Sequence, residues 1–172
     1  MAGAFDDAWT LAQLRLGMGG NVEALDALWE ISSSAAAAPF LVAHGLVVVA
    51  LNVLLAPEAG DRRRELVLGT LANAASHRCD GRLTLESDGD GEMSAALRVE
   101  VSRLWVASSS VAVLTQCSRL VATALLTPKR QPSHPWLAPW ASVASADAAA
   151  AIPNTPCAEK LLWLIAHAHD VE

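Results

Sequence analysis

The sequence predicts an all-α fold in which short helices stack as repeats, and three observations carry that expectation. The chain of 172 residues is 53% hydrophobic but only 5% aromatic, with no tyrosine. Alanine and leucine supply most of that apolar content, and both favour helix where strands favour β-branched and aromatic side chains. The apolar stretches are punctuated at short intervals by glycine, proline and serine, and similar helical patterns recur with a period of about 40 residues. The length suffices for one domain with a sizeable core.

The opening, "MAGAFDDAWTLAQLRLGMGG", has two acids where a signal peptide needs positive charge, so a cytoplasmic or nuclear location is expected. Gly17-Met18-Gly19-Gly20 has the glycine content of a phosphate loop. A dinucleotide fingerprint would need glycine at position 22 after a strand, and Val22 stands there. The quartet reads as a helix-breaking linker. "NVEALDALWEISSS" follows as a helix.

Residues 35–57 form the longest apolar stretch, with His44 and Asn52 as its strongly polar side chains. By length they reach a membrane span, and a membrane-associated helical protein using 35–57 is the alternative reading of the chain. Ser32, Ser33 and Ser34 offer N-cap oxygens ahead of the stretch, and Pro39 suits a first helical turn. Gly45 sits where helices commonly stop in the left-handed conformation. A second apolar piece, Leu46 to Leu55, ends at Ala56-Pro57. The stretch therefore divides into two helices bent at His44-Gly45. No aromatic belt or one-sided Lys/Arg excess flanks it, so no membrane span is expected and both helices are assigned to a protein interior.

"GDRRRELVLGTLANAASH" begins with Asp61 as the expected N-cap. Leu68, Leu71 and Ala75 make one stripe at helical spacing, and Leu66, Gly69 and Asn73 make a second. Placing Leu28 on Leu71 also superposes Leu25 on Leu68 and Glu30 on Asn73. The C-terminal "EKLLWLIAHAH" repeats Leu28-Trp29-x-Ile31 as Leu162-Trp163-x-Ile165. Residues 93–127 supply two more helices, including "QCSRLVATALL", after a loop lengthened by "ESDGDGE". Such a period points to an armadillo/HEAT-like right-handed α-solenoid of about three to four short helical repeats, with about eight to ten helices. It is read as a single domain, 1–172. Its repeat-like units lie near 1–34, 35–78, 79–127 and 128–172, the last with a Pro-rich insertion at 128–156.

Leu28-Trp29-Glu30-Ile31-Ser32, then Phe40-Leu41, then Arg64-Glu65 with Gly69-x-Leu71-x-Asn73, then Ser118-Arg119-Leu120 occur in one order over residues 22–126. In these the chain resembles the serum-amyloid-A-like (Saal) family, with a weaker match to the end. The resemblance implies an armadillo-like, all-helical protein without an established catalytic activity, and it does not imply an apolipoprotein. The proline-rich segment 128–156 departs from the family's pattern.

A net charge of −6 argues against a nucleic-acid partner. The basic run Arg62-Arg63-Arg64, followed at once by Glu65, reads as a solvated helix start. Cys79, Cys117 and Cys157 form no CxxC pair and suit free thiols. Glu86, Asp88, Asp90 and Gly91 mimic a calcium loop, but Leu97 stands where its last carboxylate belongs. His167 and His169 point to different faces of a helix, while His44 and His77 fall near helix ends, where a cation complements the dipole. No GxSxG, HExxH or P-loop occurs. Neither catalytic residues nor a metal or cofactor is expected. Trp29, Trp105 and Trp163 are assigned to packing. Trp136 and Trp140, in "PKRQPSHPWLAPW", either cover one end of the stack or dock into a partner.

The expected function is a non-catalytic scaffold or adaptor that binds protein partners, alone or as a subunit of a larger complex. Armadillo grooves are lined by the third helix of each repeat, where an asparagine at the position of Asn73 often bonds a peptide backbone. Here the aligned positions hold Glu30 and Leu164, so no asparagine ladder is expected. Glu23, Asp26 and Glu30 make an acidic stripe aligned with Leu66, Gly69 and Asn73. It is either a solvated helix face or the acidic end of a groove that is apolar beside Asn73. Those six residues are the partner-binding candidates, suited to a segment that pairs a basic residue with a small apolar anchor.

Overall fold

The computed structural model describes residues 6–77 and 91–125, which fold into seven helices with no strand among them. The expected C-terminal repeat with its proline-rich insertion, the acidic stretch before residue 91, Cys79, Cys157, and the C-terminal histidines and tryptophans lie outside the described residues. The first helix, α1 (Asp7–Met18), is capped by Asp6, whose carboxylate accepts from the Trp9 backbone N–H at 3.0 Å. Gly17 and Met18 still belong to α1, and the break expected from the glycine quartet falls at Gly19-Gly20. In α2 (Val22–Ser32), Asn21 caps by accepting from the Ala24 N–H at 2.8 Å. Both caps satisfy an otherwise orphaned helix donor.

The long apolar stretch is two helices, α3 (Ala37–Ala43) and α4 (Leu46–Leu55), bent by 67° at His44-Gly45. Gly45 has φ 99°, the left-handed conformation open to glycine at little cost. No single helix among the described residues is long and apolar enough to cross a membrane. The serines behave differently from the expectation. Ser32 and Ser33 turn back to donate to the carbonyls of Trp29 and Glu30 at 2.6 Å, closing α2 rather than opening α3. Only Ser34 serves the next helix, accepting from the Ala36 N–H at 3.3 Å. His44 sits at the C-terminal end of α3, its ring stacked on Phe40 at 4.0 Å.

In α5 (Asp61–Ser76) the cap is Gly60, in extended backbone, and Asp61 is the first helical residue. Its carboxylate points along the helix toward Arg64, at 3.7 Å, instead of back onto the helix donors. Every residue from Leu66 to Ala72 is buried. The two apolar stripes read from the sequence therefore reflect a helix enclosed nearly all round. It packs against α2, α3, α4 and α7.

The last two helices, α6 (Gly91–Ala107) and α7 (Val111–Leu125), are joined by three serines. Ser108 Oγ accepts from the Ser110 N–H, and Ser110 Oγ from the Val113 N–H, which opens α7. Contacts run through two series, α1 to α4 to α6 and α2 to α5 to α7, and the pairs α1–α2, α4–α5 and α6–α7 also pack together. The core lies between the series. Leu25, Leu28, Leu68 and Leu71, which superpose in the internal sequence comparison, are all within 2% of full burial.

Candidate functional site

The surface formed by α2, α5 and α7 carries most of the polar contacts between sequence-distant residues. Its centre is Trp29, half-buried on α2, lying over Gly69 of α5. A Cβ at Gly69 would stand 3.0 Å from Trp29 Cζ2, closer than ordinary packing tolerates. The glycine thus admits the indole face against the α5 backbone. Over the same indole lies the Arg62 guanidinium, 5.8 Å from the ring centroid, within cation–π range. Arg62 also donates to Asp26 Oδ1 at 2.8 Å and to Glu65 Oε2 at 3.0 Å.

One helical turn further along α5, Asn73 uses both ends of its amide. Its Nδ2 donates to Ser32 Oγ at 3.2 Å and reaches the Trp29 carbonyl at 3.5 Å. Its Oδ1 accepts from Arg119 Nη2 at 2.8 Å, and Arg119 Nη1 donates to Gln116 Oε1 at 2.7 Å. A single side chain therefore ties α2, α5 and α7 together through amide and guanidinium hydrogen bonds.

The six partner-binding candidates separate into three groups. Glu23, Asp26 and Glu30 lie exposed on α2, as a surface stripe requires. Asp26 is neutralised by Arg62, whereas Glu23 and Glu30 form no ion pair among the described residues. Leu66 is fully buried, and Gly69 lies beneath the Trp29 ring. Both are corrected from surface to interior: Leu66 turns into the hydrophobic core, and the indole covers Gly69 where a small apolar anchor would enter. Asn73 is half-buried and already bonded on both sides.

Sequence reasoning did not assign Arg62, Arg119, Ser32 or Trp29 to this surface. The sequence groups Arg62 with Arg63 and Arg64 as one solvated run, yet each arginine has different surroundings. Arg62 covers Trp29, Arg63 lies against Gly20, and Arg64 faces Asp61. The available signal was the Arg62–Glu65 spacing, which pairs side chains on one helix face.

Cys117 is fully enclosed in α7, and burial pushes its thiol up to about 12, so it holds its proton and packs as a small apolar group. Elsewhere Glu100, on α6, hydrogen-bonds Arg103 and raises its affinity for its proton. No group of three or more metal-ligating side chains comes together among the described residues. No family model, curated protein or solved structure matches this chain.

Proposed function

We propose that the protein is a non-catalytic, armadillo-like scaffold or adaptor that receives a protein partner across the α2–α5–α7 surface, in the cytoplasm or nucleus, alone or as a subunit of a larger assembly. The observation that carries this reading is the Asn73 junction. It holds three helices from three successive repeat-like units in fixed register, and a rigid ladder of helices is what a solenoid offers a partner. Support also comes from the packing series α1–α4–α6 and α2–α5–α7, which is the order that stacked repeats require. Trp29, Ser32, Gly69, Asn73 and Arg119 all belong to the signature residues of the Saal resemblance, and all five meet at this junction.

The partner's recognition chemistry follows from what is left unpaired. Glu23 and Glu30 flank the occupied Asp26 on α2, so a segment with a basic residue is favoured there. Where the sequence expects a place for the partner's small apolar anchor, the partner meets the partly exposed edge of the Trp29–Arg62 stack. Tagged chain captured with its partners and treated with a carboxyl-directed cross-linker tests this. Cross-links should concentrate at Glu23 and Glu30. Links confined to α1 and α6 would refute the assignment of the surface.

A further inference from the structure

A second site lies away from that surface, where the α1–α2 turn meets the α4–α5 turn. The two turns border an open cleft of about 290 Å³, close to the lower limit for small-molecule sites of about 300 Å³. Its accessible apolar lining comes from Met18 and Ala56, above a floor of Val53 and Ala59 that neighbouring atoms almost fully cover. Three polar side chains border it: Arg63, Asn52 and Glu58.

None of these three side chains hydrogen-bonds or ion-pairs with any described residue. Arg62 and Arg64 face carboxylates, but Arg63 does not. It is half-buried and lies along Gly20, where a Cβ would meet Nη1 at 3.6 Å. Glu58 shares the cavity with Arg63, yet the two stand too far apart for a salt bridge. A half-buried cation thus borders the cleft together with a solvent-exposed amide and a solvent-exposed carboxylate, none of them bonded to another described side chain. The arrangement disfavours a phosphate. The N–H groups of Gly19 and Gly20 are consumed by the carbonyls of Leu16 and Gly17, and Glu58 would repel a dianion.

We propose that this cavity binds a small zwitterion of the α-amino-acid type with an aliphatic side chain. Arg63 and Asn52 take the carboxylate, Glu58 takes the ammonium group, and the side chain packs on Met18 and Ala56. The guanidinium suits a carboxylate through paired N–H donors. Both charges of such a ligand find a partner, whereas a simple acid or a simple amine satisfies one and leaves the other facing its own kind or nothing. This site is independent of the partner surface and stands or falls separately.

The test is a calorimetric and NMR titration of the full chain with L-leucine, its des-amino analogue 4-methylpentanoate and its decarboxy analogue 3-methylbutylamine. Leucine should saturate, with shifts centred on Asn52, Glu58 and Arg63, and each analogue should bind at least ~tenfold more weakly. Arg63→Gln should abolish leucine binding while the dispersed spectrum persists. Glu58→Gln should weaken leucine but leave 4-methylpentanoate unaffected or improved. Absence of saturable leucine binding, equal affinity for leucine and 4-methylpentanoate, or undiminished binding by folded Arg63→Gln would overturn the proposal.

Discussion

The indole of Trp29 lies against the bare backbone of Gly69, so closely that a Cβ there would stand 3.0 Å from Cζ2. Two effects oppose each other at this position. Alanine in a helix interior is favoured over glycine by ~0.5–1 kcal/mol, but overpacking a close contact costs ~1–3 kcal/mol. Arg62 covers the other side of the ring and resists its displacement. Gly69→Ala should therefore destabilise the protein in urea titration. In a Trp29→Ala background the same substitution should become neutral or stabilising, and this reversal of sign in the double-mutant cycle identifies the contact.

Asn73 should matter more than its partial exposure suggests. Asn73→Ala removes bonds to α2 and to α7 at once, with an expected cost of about 1–3 kcal/mol. Arg119 is exposed, and Arg119→Ala should cost only about 0.5–1.5 kcal/mol. Thermal or chemical denaturation of the two variants gives the comparison directly. Equal losses would mean that the bond to Arg119 is the whole of the junction.

The contrast between these residues and Gly45 shows what was legible in the sequence. The bend at His44-Gly45, the span Leu46–Leu55 and the burial of Leu28 and Leu71 follow from local rules: a glycine stop, an apolar run, a helical period. The contacts that build the candidate surface join residues far apart in sequence, 36 positions for Arg62–Asp26 and 46 for Arg119–Asn73. The Arg62–Glu65 spacing marks a helix face, but nothing local shows that Arg62 stacks on an indole while Arg63 borders a cleft. Leu66 and Gly69 lie inside, not on the surface that their spacing suggests, for a related reason. On a helix packed by four others, a stripe at i, i+3 and i+7 does not mark an outward face.

Gly45 itself offers a sharp test of the bend. A side chain in the left-handed region costs ~1–2 kcal/mol, partly offset by ~0.4–1 kcal/mol from the stiffer unfolded chain. Gly45→Ala should lower stability modestly, and Gly45→Asn should lose less. Differential scanning calorimetry resolves both. A stabilised Gly45→Ala would show that α3 and α4 join as one helix.

Cys117 gives the protein an alkaline liability. Its thiol is raised from 9.0 in the free state to about 12 by burial. The folded chain therefore retains a proton that the unfolded chain has lost between those values, so stability is intact below pH 9 and falls as pH rises toward 12. Cys117→Ala should flatten this alkaline decline relative to the parent, while losing some packing at neutral pH. A thiol reagent at pH 8 should label Cys117 only as fast as the chain opens.

Charge reversal of the exposed α2 stripe is the most direct test of partner binding by the α2–α5–α7 surface. Glu23, Asp26 and Glu30 changed together to Lys remove one exposed ion pair, worth ~0–1 kcal/mol, so the melting temperature should hardly move. Exposed charges set encounter rate and orientation. Affinity capture by the triple variant should therefore lose the wild-type partner, with the residual binding less sensitive to salt. Capture of every partner at wild-type levels and wild-type salt dependence by that folded variant would contradict a partner surface on this face.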